Sequence, residues 1–387
     1  MWASEDGPWN GNWGATGELS RGLPQTYNRN YVEGKMTKTI IWSPITAYYD
    51  ILPLPGSGLM RANQPWSGHY EVQPAVWITA HTTQFIEPGW KYLGGSACGL
   101  LPAGGSHVAA VSADGQSTSV VIETIGAKQT QALSLKFAGG LPGHKLRCWR
   151  STAREQFVRL ADVYVVEGVF SLQAEPEAIY SLTTTDGQQK AVAEIPPARP
   201  LPLPYRDDFD SYRVGATPKY LSDFFGAFEV KSCDRGGKCL QQVIPRRGIE
   251  WCGDSEPATI IGSPAWSDYQ VCCDICFDFK QTAWLYGRIK SVPHGKHPPQ
   301  GYGLRIAGDG AWTLVESHSG EVLTSGKVNV APGSWHRLGL RMLGNQITAI
   351  IDGKEAGSTV SETFQSGLAG MGCGWEAVKF DNLAVEP

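Results

Sequence analysis

The run Ile195-Pro-Pro-Ala-Arg-Pro-Leu-Pro-Leu-Pro204 sets the first limit on how this chain folds. Proline fixes its own φ and has no backbone N–H, so a stretch this dense in proline joins neither a helix nor the interior of a sheet. It predicts a stiff, extended linker and a domain boundary. The segments on either side must then bury cores of their own. With 387 residues there is length for two or three domains.

Beyond the linker, Asp207-Asp-Phe-Asp210 opens the second half. Short strand-like runs follow at 228–231, 240–244, 259–261, 269–279, 283–289, 301–306, 312–316, 335–342, 346–351 and 376–385. Turn signals such as Asp352-Gly353 separate them. Ten or more strands in roughly 180 residues predict a jelly-roll sandwich over 205–387. Before the linker, 107–111, 117–125, 131–136, 145–150 and 163–172 alternate between Gly-rich turns, with Asp186-Gly187 turning the last hairpin. They predict a β-sandwich over 89–194.

The first 88 residues read differently. Met36-Thr-Lys-Thr-Ile-Ile-Trp42 is a β-branched strand ended by Ser43 and Pro44, and 45–52 reads as a helix. A Gly/Trp-rich loop over 9–24 precedes it. Strand, loop, strand, helix is the order of a β/α barrel, but only about two of its eight strands are present. The segment 74–85 reads as an amphipathic helix closed by Pro88-Gly89. The stretch 63–92 holds Trp66, Trp77 and Trp90 with His69 and His81 and almost no charge; it is the seam where the α/β segment meets the all-β remainder. The expected class is multi-domain and mainly β: a remnant of a (β/α)8 barrel over 1–88, two sandwiches, and the linker 195–204.

Composition narrows the function. The net charge of −4 with no basic block argues against nucleic acid as the main partner. No apolar run approaches the length of a membrane span, so an integral membrane protein is not expected. The chain has 14 Trp; most are expected in packing, but an exposed indole also offers a flat apolar face to a sugar ring. The nine cysteines leave at least one thiol unpaired. Cys273 and Cys276 form C-x-x-C inside a strand-like run, which points the two side chains to opposite faces and argues for buried thiols rather than zinc. Cys233 and Cys239 flank Asp234-Arg-Gly-Gly-Lys238 and could close a hairpin as a disulfide. No signal-peptide pattern follows Met1, and no Asn-x-Ser/Thr sequon occurs.

Two constellations of acids are candidates for chemistry. Trp2-Ala-Ser-Glu-Asp6 is either a solvated acidic turn or a carboxylate at the C-terminal end of a barrel strand, where such folds keep their chemistry. Asp208 and Asp210 are spaced i, i+2, and Asp381 lies in the last strand. Such hard oxygen donors suit Ca²⁺, with turn and edge solvation as the alternative. No phosphate loop and no Gly-x-Ser-x-Gly elbow occurs, and no organic cofactor is expected. His81 reads as a packed histidine, and Asp162 and Glu167 as surface charge.

Several stretches resemble the galactosylceramidase (galactocerebrosidase) family, glycoside hydrolase family 59. They are Gln64-Pro-Trp-Ser-Gly-His-Tyr70, Ala80-His-Thr-Thr-Gln-Phe85 with Pro88-Gly-Trp90, Asn28-Arg-Asn-Tyr31, Gly34-Lys-Met-Thr37, Trp42 with Tyr48-Tyr49, Asp207-Asp-Phe209, Leu240-Gln-Gln-Val243 with Trp251, Ile260-Ile-Gly262 and Phe380-Asp-Asn-Leu383. The resemblance implies a β/α barrel, a β-sandwich and a lectin-like domain, and retaining hydrolysis of β-galactose from galactosylceramide-like glycolipids. It implies Glu5 as nucleophile and Trp42 and Trp251 beside the galactose. An arginine from the sandwich, Arg154 or Arg150, would reach the site. Asp208, Asp210, the carbonyl of Lys238, and Asp381 would hold calcium. It also implies a glycolipid substrate, a lipid-presenting activator, and a secreted or lysosome-like location.

The departures matter. Leu54 stands where the family has a tyrosine near the pocket, and a family cysteine after the nucleophile is missing. The family's acid/base stands on barrel strand four, whereas the matching stretch begins at strand seven, so this stretch by itself is expected to be inactive. The competing readings are a non-catalytic carbohydrate- or glycolipid-binding protein and a split enzyme completed by another chain.

Overall fold

The computed structural model describes residues 1–7, 22–46, 49–52, 58–137, 144–247, 255–278, 280–293, 297–331 and 333–387. The chain divides into two units. The first comprises Met1–Tyr48, Leu54–Asn63 and Tyr70–Pro196; the second comprises Tyr49–Pro53, Gln64–His69 and Pro197–Pro387.

The first unit opens with a strand, a helix and a parallel strand. Trp2–Asp6 and Lys38–Ile41 pair in register Trp2↔Lys38 and Ala3↔Thr39. Parallel neighbours need a crossover, and helix α1 (Leu23–Gly34) lies within it. The sequence pattern did not indicate α1, because Tyr27, Asn28 and Asn30 are weak helix formers. Tertiary contacts stabilise it instead. The buried Asn28 donates through Nδ2 to the carbonyls of Ser106 at 3.3 Å and Val121 at 3.1 Å. The helix expected over 45–52 is absent from its described part. Ile45–Thr46 is a short strand parallel to Met60–Gln64, in keeping with its β-branched side chains.

Helix α2 (Pro74–Thr83) covers most of the expected one, and Pro74 suits its first turn, but it is not amphipathic: its apolar residues are spread around the helix rather than gathered on one face. Its His81 is fully buried. Ser181 Oγ donates to the His81 carbonyl at 2.8 Å, so toward Nδ1, also 2.8 Å away, it can only accept. Nδ1 therefore carries the proton. Nε2 accepts from Ser151 Oγ at 2.8 Å, and Ser151 in turn accepts the Phe157 N–H at 2.7 Å. Burial pushes the His81 pKa down to about 3. This is the packed histidine that the sequence indicated.

The sandwich of this unit has one larger sheet, ordered Val158–Arg159, Lys145–Thr152, Ala178–Thr183, Thr118–Glu123, Ser106–Val111, Lys91–Tyr92, and a facing pair, Gln131–Lys136 with Val169–Ala174. Ile122, Leu146, Cys148, Tyr180 and Leu182 pack against Phe170 and Leu172 across the layers. The other face of the larger sheet meets the helices: Val108, Val121 and Ile179 pack with Tyr31 and Val32 of α1. Thr118–Glu123 is thus buried on both faces. That includes the Glu123 carboxylate, which accepts from Ser106 Oγ and from the Ile125 N–H.

The second unit is a larger two-sheet sandwich. One sheet runs Phe228–Ser232, Lys238–Gln242, Lys379–Glu386, Tyr269–Cys276, Trp335–Leu343, Gln346–Ile351, Lys354–Val360, with Tyr205–Asp207 added to Lys379–Glu386. The other runs Ser222–Phe225, Ala258–Ile261, Leu368–Cys373, Thr282–Ser291, Gln300–Ala307, Ala311–Glu316, Glu321–Lys327. Val271, Cys273 and Ile275 of the first pack on Leu285, Leu304 and Met371 of the second.

Cys273 and Cys276 are buried strand thiols, as expected. No disulfide joins Cys233 and Cys239; both thiols are free. Cys239 stands opposite Lys231 and Lys238 opposite Ser232, so the two cysteines are diagonal neighbours rather than directly paired.

Candidate functional site

Glu5 is the fourth residue of the strand Trp2–Asp6. Trp42 follows the neighbouring parallel strand, and its N–H donates to the Asp6 carbonyl at 2.7 Å. Glu5 and Trp42 therefore stand at the same C-terminal edge of a parallel strand pair, where α/β folds assemble their sites. Trp42 is 38% exposed. The Asp6 carboxylate is committed elsewhere: Asn30 Nδ2 of α1 donates to it at 2.9 Å and to Thr39 Oγ1 at 3.0 Å. These bonds tie the helix to both strands.

The other substrate candidates are distributed as follows. Arg154 is exposed on the turn after Lys145–Thr152, where its N–H donates to Thr152 Oγ1 at 3.2 Å. Arg150 is engaged with two glutamates, Glu175 at 2.8 Å and Glu155 at 2.5 Å. Trp251 and Leu54 lie outside the described residues.

The four positions expected to hold calcium are all in the second unit, close to the hairpin turn between Phe228–Ser232 and Lys238–Gln242. Asp210 Oδ1 accepts the Lys238 N–H at 2.6 Å, and the Lys238 ammonium reaches the Asp210 carbonyl. Asp208 Oδ1 accepts the Asp210 N–H at 3.1 Å. Asp381 is bound by Arg235. Ca²⁺ takes six to eight oxygens. Among the described residues no group of three His, Cys, Asp or Glu side chains is assembled to hold a metal ion. As arranged, their oxygens are bonded to Lys238, to the Asp210 N–H and to Arg235.

Around Asp381 lies a charge network that no linear pattern in the sequence displays. Arg235 donates to both Asp381 and Asp274, and Arg337 Nη1 donates to Asp274 at 2.7 Å. Burial alone raises the Asp274 pKa, but the bonds from Arg337, Asn382 and Arg235 outweigh it and hold the carboxylate below its usual range. The signal in the sequence was Asp274 itself, a charge at a half-exposed position between the core residues Cys273 and Ile275.

A cavity of about 440 Å³ opens beside this network in the same unit. Tyr205, Asp207, Tyr212, Lys219, Tyr220 and Asn382 are among its walls.

Two family models match separate stretches of the chain. One, Glycosyl hydrolase family 59, matches residues 1–84; the other, Galactocerebrosidase, C-terminal lectin domain, matches residues 223–387. The chain belongs to glycosyl hydrolase family 59. It is similar to the galactocerebrosidase of Canis lupus familiaris, 31% identical over 423 residues, covering 100% of this chain and 62% of that protein. The galactocerebrosidase of Homo sapiens is 30% identical over 423 residues, with 100% and 60% covered. The chain thus spans about three fifths of the length of these relatives. Among solved structures, a carbohydrate binding module from Bacillus subtilis overlays at a TM-score of 0.34 and 17% identity, covering 43% of this chain and 96% of its own; a likeness that slight carries no argument.

Proposed function

We propose that this protein is a retaining β-galactosidase acting on galactosylceramide-like glycolipids, with Glu5 as its nucleophile. The observation that supports this reading is that Glu5 lies near the C-terminal end of Trp2–Asp6, the strand whose parallel partner Lys38–Ile41 leads into Trp42. The names of its relatives supply the substrate class. In a retaining mechanism one carboxylate attacks the anomeric carbon and forms a glycosyl-enzyme, while a second carboxyl about 5 Å away protonates the leaving group. Glu5 takes the first role. The second is not assigned to a residue of this chain. Trp42, Trp251 and Arg154 would border the sugar. Presentation by a lipid-binding activator and a lysosomal or secreted location fit such a substrate. Calcium at Asp208, Asp210, the Lys238 carbonyl and Asp381 is part of the same reading, and would enter only in exchange for the Arg235 and Lys238 contacts.

The nucleophile can be tested apart from the acid/base. A fluorosugar such as 2-deoxy-2-fluoro-β-galactosyl fluoride carries a leaving group that needs little protonation and traps the glycosyl-enzyme. Mass spectrometry of digested protein is expected to find the label on Glu5, and none in Glu5→Gln. A label on another residue, or none on the wild type, would overturn the assignment. The second reading, a non-catalytic glycolipid-binding protein, is favoured by the lectin-domain match over 223–387; it predicts sugar binding without labelling.

A further inference from the structure

Apart from Asp208, which also belongs to the proposed calcium set, the cavity beside Asp207 is built from parts that the proposed hydrolysis does not use. Its floor is fixed. Asp207 Oδ2 accepts the hydroxyls of Tyr205 at 3.1 Å and Tyr212 at 2.9 Å, and Oδ1 accepts the Phe209 N–H at 2.9 Å. The Tyr212 hydroxyl also accepts the Lys219 N–H at 3.1 Å. With their hydroxyls occupied, both rings are held as rigid walls.

A third wall is braced from behind. Tyr220 meets the Trp66 indole edge-on, at 5.9 Å and 89°. Its carbonyl accepts the Tyr49 hydroxyl at 2.7 Å. Trp66 is in turn anchored, its Nε1 donating to the Arg199 carbonyl at 2.6 Å. The motif Gln64-Pro-Trp-Ser-Gly-His69, which has no part in the proposed chemistry, thus supports this pocket.

The charges along the walls are largely answered within the unit. Arg206 pairs with Glu386, and Arg337 with Asp274 and the Asn382 carbonyl. That leaves no cluster of unpaired cations for an anion. What faces the cavity is a mixture of acceptors and donors, carboxylates with a lysine, a serine and an amide, between tyrosine rings. The volume falls within the usual range for small-molecule sites, roughly 300–1,000 Å³. Convergent hydrogen-bonding groups between aromatic walls match a polyhydroxylated ring, with hydroxyls at its edge and apolar C–H faces.

We propose that this pocket is a second saccharide-binding site, taking one neutral pyranose unit in the lectin-like half independently of Glu5. The test is calorimetric titration of the whole chain with methyl β-galactoside, methyl β-glucoside and methyl α-mannoside, with sodium phosphate as the anionic control. At least one glycoside is expected to bind. Tyr212→Ala and Lys219→Ala are each expected to weaken it roughly tenfold, the equivalent of ~1.4 kcal/mol, while Glu5→Gln and Trp42→Ala leave it unchanged. Lys219 is exposed, so its variant keeps the fold and the comparison stays valid. Binding lost in Glu5→Gln or Trp42→Ala but kept in the pocket variants would overturn the proposal, as would phosphate binding alone or no binding of any glycoside. None of these outcomes depends on labelling of Glu5, so the two readings fail separately.

Discussion

Arg235 donates to Asp381 through Nε at 3.1 Å while its guanidinium lies 4.0 Å over the ring of Trp335. The pair is separated by 146 residues of sequence. It ties the turn of one hairpin to the last strand. Burial raises the Asp381 pKa, and the Arg235 bonds offset that only in part. Arg235→Met would keep the stem over the indole but strip both Asp381 and Asp274 of a partner. A loss of about 2 kcal/mol is expected, read as a lower urea midpoint at unchanged slope. Asp381→Asn in the same background should recover part of it.

The same pair makes the calcium reading testable. A cation entering at Asp381 must displace Arg235, so Arg235→Ala should increase the upward shift of Tm on adding Ca²⁺, and a chelator should reverse it. Melting curves of wild type and variant, with and without Ca²⁺, provide the measurement. No shift in either protein would count against the site of Asp208, Asp210, Lys238 and Asp381.

His81 gives a pH dependence with a defined sign. Its pKa is about 3 in the fold against 6.5 unperturbed. Below pH 6.5 the unfolded chain binds a proton that the folded chain refuses. The His81 contribution is complete above pH 6.5 and is lost as pH falls toward 3, at up to roughly 1.4 kcal/mol per pH unit. His81→Gln should flatten stability against pH between 7 and 5. Equal slopes in wild type and variant would refute this.

Gly105 carries φ +101, and a Cβ there would lie 2.1 Å from the Glu123 carbonyl oxygen. Neither the backbone angle nor the space admits a side chain. Gly105→Ala is expected to cost about 3 kcal/mol or more, measured by urea unfolding. A cost below about 1 kcal/mol would show that the Ser106–Val111 and Thr118–Glu123 strands can shift apart cheaply.

Much of the strand architecture was legible because its burial alternates. Tyr269–Cys276 buries every second residue up to its end, the pattern the sequence displays. Leu368–Cys373 escaped notice although it lies in the middle of its sheet. Gly370 and Gly372 dilute its β signal, yet a Cβ at either would come within 3 Å of a backbone carbonyl, of Thr259 or of Pro257. Close strand approach selects glycine there, and propensity cannot register that. The proposed site rests on a different kind of signal. Glu5 and Trp42 came from a family pattern, whereas Arg235, Asp274 and Arg337 meet only through strand register, which a linear pattern does not display.

The bonds of Arg199 alter how the proline run acts as a boundary. Its N–H is accepted by Gln64 Oε1 at 2.5 Å and its carbonyl by the Trp66 indole. Tyr49 accepts the Gly262 N–H at 3.1 Å, and Ile51 accepts the Val292 N–H at 3.0 Å. A gene fragment cut at residue 197 would therefore be an incomplete module. It would lack the two short upstream segments that satisfy its own backbone groups, and expressing it with 49–69 supplied as a separate peptide would amount to fragment complementation.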